Sequence, residues 1–300
     1  MEDLLKMASG YIAPMLCYVN GTFMEEKNAL IPIQDRGFRY GDGIFETILV
    51  QQATPLHLAR HLKRLQQGMQ SLHIPTDTDN LHNLCRELIE RNSVTDAILR
   101  IAISRGIGGR GYRPPMEARP SLIIECLPLP PDADSPPPGL RLMVSRYQKI
   151  SPAALPVQHK MMQGLNSTLC AMEAESHGFD DAILLNHQGH ICETSSANIF
   201  WLQQHQLFTP ALSCGVLAGV TREIICESWP DGVKEGNYSI DRLQEAEAIF
   251  LTSAIKGVQG VAQLTTAQGT QHFSSAAIAR QAMQLWQQAN QHNITSQQCM

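Results

Sequence analysis

The 300-residue chain has no run of about eighteen apolar residues, so nothing in it reads as a membrane-spanning helix. Its eight cysteines stand singly, at 17, 85, 126, 170, 192, 214, 226 and 299, and none forms a C-x-x-C pair. That spacing argues against a zinc site or a thioredoxin-like motif, and no metal is expected. Positive charge is scarce: 23 Lys plus Arg against 28 Asp plus Glu leave a formal net charge of −5. A nucleic-acid binder needs a cationic face to displace phosphate counterions, so that class is excluded. No repeat period is visible, which removes solenoids and propellers. The opening MEDLLKMASG lacks both the basic start and the apolar stretch of a secretion signal. Scattered cysteines beside 12 methionines suit a reducing interior, and the expectation is a soluble cytoplasmic enzyme.

What remains is an ordinary globular balance, 43% hydrophobic and 17% charged. The sharpest compositional break is Leu127-Pro128-Leu129-Pro130-Pro131, continuing to Pro136-Pro137-Pro138-Gly139. Proline at that density prevents helix and interior strand. It predicts a smaller α/β domain over 1–127, a linker over 128–139 and a larger domain over 140–300. In the first part, Asn20-Gly21 between two apolar runs signals a tight hairpin. Leu58, Leu62, Leu65, Met69 and Leu72 have the spacing of an amphipathic helix, and Leu81, Leu84, Leu88 and Ile89 suggest another. Strands are expected over 97–104 and 121–127. In the second part, strands are expected near 140–147, 182–185, 197–201 and 247–253. Helices are expected near 166–177, 221–229 and 275–292. The chain reads as mixed α/β in two parts.

Gly106-Ile107-Gly108-Gly109-Arg110-Gly111 satisfies G-x-G-x-x-G after a predicted strand. A dinucleotide fingerprint also needs a helix to start at once, so that its N-terminus meets the pyrophosphate. The continuation Tyr112-Arg113-Pro114-Pro115 cannot be a helix interior. Two readings remain: a glycine-rich loop presenting Arg110 and Tyr112 to an anionic ligand, or a plain turn.

Six motifs then occur in order: Asp35-Arg36-Gly37-Phe38-Arg39-Tyr40-Gly41-Asp42-Gly43-Ile44-Phe45-Glu46; His61-Leu62-Lys63-Arg64-Leu65; Ser104-Arg105-Gly106 through Tyr112; Lys160 ahead of a helix; Glu193-Thr194-Ser195-Ser196-Ala197-Asn198-Ile199-Phe200 followed by Gly219-Val220-Thr221-Arg222; and Leu251-Thr252-Ser253-Ala254. Together they resemble the fold-type IV pyridoxal-phosphate enzymes over about residues 16 to 262. That superfamily holds branched-chain aminotransferases, D-amino-acid aminotransferases and aminodeoxychorismate lyases. The resemblance implies a two-domain α/β fold, pyridoxal 5'-phosphate as cofactor, a small carboxylate substrate and a homodimer.

The chemistry asks for matching residue types. Pyridoxal phosphate needs a lysine amine for its Schiff base and for moving protons, and Lys160 occupies that place in the motif order. Its pyridine nitrogen needs a carboxylate to stay protonated, and Glu193 matches. Its phosphate needs N–H donors, hydroxyls and fixed positive charge. Gly219-Val220-Thr221 at a helix start, the turn Ser253-Ala254 and Arg64 fill those roles by resemblance. Arg110 and Tyr112 are expected to hold the substrate carboxylate, with Phe38 beside the substrate.

The superfamily match leaves the reaction open. The segment Ser104–Tyr112 is very similar to the lyases' SRGxGGRGY, and Thr252–Val258 resembles their turn more than the aminotransferases' TxxEITPV. Phe38 points the other way, because lyases place a Thr there and aromatic residues occur in aminotransferases. Gln163–Ser167 also departs from the lyases' usual NRL. The expected activity is 4-amino-4-deoxychorismate lyase, in folate biosynthesis. The alternative is a D-amino-acid or branched-chain aminotransferase.

Overall fold

The computed structural model describes residues 15–75, 77–130 and 139–298. Most of the Pro-rich stretch assigned as a linker, residues 131–138, lies outside the described residues. Packing divides the described chain into two compact units. The first takes the chain up to Pro130 together with Lys160–Gln163 and the chain from Asn293 on; the second takes Gly139–His159 and Gly164–His292.

The first unit holds β1 (Leu16–Val19), β2 (Thr22–Glu25), α1 (Arg36–Tyr40), β3 (Gly43–Gln51), β4 (Thr54–Pro55), α2 (Leu58–Ser71), α3 (Leu81–Arg91), β5 (Ala97–Ser104) and β6 (Ser121–Leu127). The six strands form one antiparallel sheet in the order β2-β1-β6-β5-β3-β4. Asn20 and Gly21, at φ 48° and 100°, turn the β1–β2 hairpin, with Val19 opposite Thr22. Left-handed backbone at both central positions is what an Asn-Gly pair tolerates, as the sequence signalled. Along β3, Ile44, Ile48 and Val50 point into a core with Leu58 and Leu65 of α2 and Leu81 and Leu88 of α3. Full burial of such a side chain contributes about 2 kcal/mol. The two helices fall within a residue or two of their expected bounds. The long strand β3 has no counterpart among the elements expected from sequence; its run of nine residues includes Gly43, Glu46 and Thr47, which blur the apolar pattern.

The segment Lys160–Gln163 adds to the edge of β3. Phe45 N–H donates to the Lys160 carbonyl (2.9 Å), and Met162 N–H to the Gly43 carbonyl (2.9 Å), with Ile44 bridged to Met161. In the glycine-rich segment Gly106 and Ile107 make isolated bridges to Arg119 and Asp35, a bend and turn follow from Arg110, and no helix starts after it. Gly106 is at φ +82°, and a Cβ there would stand 1.8 Å from the Arg119 carbonyl oxygen, so only glycine fits.

The second unit holds β7 (Leu140–Gln148), α4 (Leu165–Ser176), β8 (Asp181–Leu185), β9 (Ile191–Thr194), β10 (Asn198–Gln203), β11 (Gln206–Pro210), α5 (Val220–Ser228), β12 (Val233–Gly236), β13 (Ala248–Ser253), β14 (Gly257–Thr266) and β15 (Gly269–His272). Most of α6 (Ala276–Gln298) follows. The strand order is β12-β11-β10-β13-β14-β7-β8-β9, with β15 on β14. Strand β9 pairs with β8 and also with β10, through Glu193 and Asn198, which closes the path into a ring. Its core gathers Trp201, Phe208, Ile249 and Leu251, with the Tyr238 ring edge-on to Trp201 at 5.1 Å. Strand β14 was not expected from sequence, because Gly257, Gly260 and two glutamines dilute its apolar residues. Among the described residues no helix is long and apolar enough to cross a membrane.

Candidate active site

In the first unit, Lys160 is placed by the main-chain bonds to β3, and its Nζ lies 4.6 Å from the centre of the Phe45 ring. One residue further along β3, Glu46 is fully buried on the face shared with Ile44 and Ile48. A carboxylate there needs cationic partners. Helix α2 supplies them one turn apart: Arg64 donates from Nε to Oε1 (2.8 Å) and from Nη2 to Oε2 (2.6 Å), and His61 Nδ1 lies 2.7 Å from Oε2. Burial alone would raise the Glu46 pKa. The Arg64 charge, with hydrogen bonds from His61 and Arg64, outweighs it and lowers the value to about 2. His61 is shifted downward, chiefly by burial and further by the charges of Arg64 and Lys160, against the pull of Glu46. Since a carboxylate only accepts, the Nδ1–H of His61 donates to Glu46. Sequence reading passed over Glu46 and His61. The available signal was a carboxylate at a core-facing position of an apolar strand.

The substrate-side candidates lie in the same unit. Phe38, on α1, is 77% exposed, and Tyr112 is 87% exposed with its ring 5.5 Å from that of Tyr40. Arg110 is exposed on the glycine-rich loop. Around them, Asp35 caps α1 by accepting the Gly37 N–H (2.7 Å), and its other oxygen accepts from Ser104 (2.8 Å) and Ser121 (2.7 Å). Asp42 accepts from Arg36 Nε (2.7 Å) and from Arg105 Nε (2.8 Å) and Nη2 (2.9 Å). Burial would raise the Asp42 pKa, but the bonds from the two arginines hold it below the ordinary carboxylate value.

In the second unit, the buried Glu193 of β9 is held on three sides. Lys149 Nζ donates to its Oε1; Asn198 Nδ2 (3.1 Å) and the Leu217 N–H (2.9 Å) donate to Oε2. Asn198 also donates to the Leu217 carbonyl (3.0 Å) and pairs in register with Thr252 on β13. A Cβ on Gly219 would come within 2.1 Å of Asn198 Oδ1. Asn198 thus brings Glu193, the Leu217–Thr221 segment and the Thr252–Ala254 turn to one place. Helix α5 begins there at Val220, with Gly219 as N-cap and no side-chain cap, so its first N–H groups have no intrahelical acceptor. Val220 and Thr221 are buried, and the Ser253 hydroxyl accepts the Lys256 N–H (3.3 Å). The buried Thr252 hydroxyl has no hydrogen-bond partner. The sequence did not reveal Lys149, whose partner lies 44 residues on.

Residues 43–264 match the family described as amino-transferase class IV. The chain belongs to that family. An aminodeoxychorismate lyase of Bacillus subtilis is 28% identical over 284 residues, which is 90% of this chain and 92% of that one. A branched-chain-amino-acid aminotransferase of Escherichia coli K12 is 26% identical over 262 residues, 81% of this chain and 85% of that one. The solved Escherichia coli branched-chain amino acid aminotransferase superposes with a TM-score of 0.83 at 25% identity, covering 91% of this chain and 93% of that one. The 4-amino-4-deoxychorismate lyase of Pseudomonas aeruginosa gives 0.76 at 28% identity, covering 90% and 97%. The fold is therefore that of the fold-type IV enzymes, and the chain is a pyridoxal 5'-phosphate-dependent enzyme.

The residues of the second unit fit that cofactor. An uncapped helix start and an unpartnered hydroxyl suit a phosphate, and the buried Glu193 carboxylate, bonded to the Leu217 N–H just before that helix, suits a protonated pyridine nitrogen. The family's relatives divide between lyases and aminotransferases, so membership alone leaves the reaction unassigned.

Proposed function

We propose that this enzyme is a 4-amino-4-deoxychorismate lyase, releasing p-aminobenzoate and pyruvate, and that it works as a cytoplasmic homodimer in folate biosynthesis. The reading rests on the loop Ser104–Tyr112, whose sequence is very similar to the lyases' and whose turns leave the side chains of Arg110 and Tyr112 exposed. In this assignment Arg110 holds the substrate carboxylate by charge-assisted hydrogen bonds, Tyr112 adds its hydroxyl and Phe38 borders the substrate. Lys160 binds the cofactor and carries the proton at the substrate carbon. Glu193 faces the pyridine nitrogen. Val220, Thr221, Ser253 and Ala254 receive the phosphate through main-chain N–H groups and hydroxyls, and Arg64, fixed by Glu46, supplies positive charge. Bound pyridoxal phosphate provides the electron sink for the carbanion formed at the substrate.

A D-amino-acid or branched-chain aminotransferase is the second reading, favoured by Phe38, which has no hydroxyl to assist proton transfer. Proton and amine accounting separates the two. In the lyase reaction the amino group leaves on p-aminobenzoate, so no acceptor is needed. The enzyme is therefore expected to make many turnovers of aminodeoxychorismate without any 2-oxo acid. If product stops at one equivalent and resumes on adding 2-oxoglutarate or pyruvate, it is an aminotransferase.

A further inference from the structure

We infer that Arg36 is the positioning residue of the substrate loop, acting on the substrate only through Arg110 and Tyr112. Arg36 is buried, 3% exposed, and its guanidinium is spent almost wholly on the backbone of the glycine-rich loop. Nη2 donates to the Tyr112 carbonyl (2.9 Å); Nη1 donates to the carbonyls of Gly111 (3.1 Å), Gly108 (3.4 Å) and Arg113 (3.4 Å). Its Nε is tied to Asp42, which Arg105 grips from the other side. Arg105 itself donates to the Leu72 and His73 carbonyls (2.8 Å each), just past the C-terminus of α2. The loop is thus fastened through one carboxylate to the end of a packed helix.

The loop needs such a fastener. Gly106, Gly108, Gly109 and Gly111 all have positive φ, so the segment is entropically costly to order and has no regular ladder of its own. Four carbonyls converging on one guanidinium fix its path. The Arg36 guanidinium also lies 4.9 Å from the centre of the Tyr40 ring, against which the Tyr112 ring packs. Arg36 therefore sets Tyr112 twice, by its carbonyl and by the ring beneath it. A lysine keeps the charge for Asp42 but is a single point donor and cannot span several carbonyls.

The inference rests on the assignment of Arg110 and Tyr112 to the substrate carboxylate, and the experiment separates the two. Arg36→Lys is compared with Arg110→Ala and with the double variant, with aminodeoxychorismate as substrate. Arg36→Lys is expected to raise KM at least tenfold with kcat within threefold and cofactor absorbance unchanged, and to add little to KM once Arg110 is alanine. If Arg110→Ala leaves KM unchanged, the carboxylate assignment fails. If Arg110→Ala raises KM and Arg36→Lys does not, the positioning role fails. A readout free of substrate accompanies it: trypsin should cut Arg110–Gly111 about tenfold faster in Arg36→Lys, with no faster cleavage in the second unit. Equal rates at that bond overturn the inference, and faster cleavage everywhere reduces Arg36 to a general stabiliser.

Discussion

Glu46 and Arg64 face each other through two nearly parallel hydrogen bonds, Nε to Oε1 and Nη2 to Oε2, with both side chains buried. The geometry is that of a bidentate pair, in which removal of one partner leaves an uncompensated buried charge. Glu46→Gln is expected to destabilise the protein by about 3 kcal/mol at pH 7. The carboxyl titrates at about 2 when folded, below its ordinary value of 4.5. Its stabilisation is therefore complete above pH 4.5 and is lost as pH falls toward 2. Urea unfolding at pH 7 and pH 3 should show the gap between wild type and variant narrowing with acid. The same gap at both values would contradict the pairing.

Lys160→Ala should abolish turnover, and borohydride should no longer fix the cofactor to the chain. The fold should survive, because the bond from the Phe45 N–H to the Lys160 carbonyl is kept by alanine. Thermal unfolding within a few degrees of wild type, alongside lost activity, is the expected combination. Retained activity would move the assignment to Lys256.

Glu193→Gln should lower kcat by several orders of magnitude, each tenfold corresponding to about 1.4 kcal/mol of barrier. The amide oxygen can still accept from Leu217, but Lys149 loses its anionic partner, so thermal unfolding is measured beside the kinetics. Stopped-flow rates and the cofactor absorbance spectrum test this together. Wild-type kinetics with an unaltered spectrum would remove Glu193 from the site.

Gly219→Ala probes the proposed phosphate end without touching a charged group. The new methyl would press on Asn198 Oδ1 and displace the residue that also holds Glu193. Cofactor affinity, measured by titrating the apoenzyme, should fall at least tenfold. Wild-type affinity in this variant would separate Gly219 from the phosphate.

Local signals carried far in this chain, and pairings distant in sequence did not. The Asn20-Gly21 hairpin and helix α2 were legible because a turn dipeptide and a 3.6-residue spacing act over a few neighbours. Lys160, Glu193 and Arg64 were picked out by the order of motifs, and their partners stayed hidden. Glu46 meets Arg64 after 18 residues, Lys149 meets Glu193 after 44, and Arg36 meets the Tyr112 carbonyl after 76. Such pairs leave no periodicity, since each depends on which strands the sheet places side by side. Strands β3 and β14 were missed for a related reason: glycine and polar residues are tolerated where neighbouring strands on both sides supply the hydrogen bonds.

The short run Lys160–Gln163 has a consequence for how the gene could be cut. The chain leaves the first unit near residue 130, comes back for these four residues, leaves again and returns at Asn293, whose side chain accepts the His57 N–H. A split within the Pro-rich stretch would therefore divide the sequence without dividing the units. The piece bearing β1 to β6 would lack the segment that borders β3 and would carry no Lys160, and the other piece would carry that lysine with no β3 to hold it. Fission at the most obvious break in composition separates Lys160 from its address on β3.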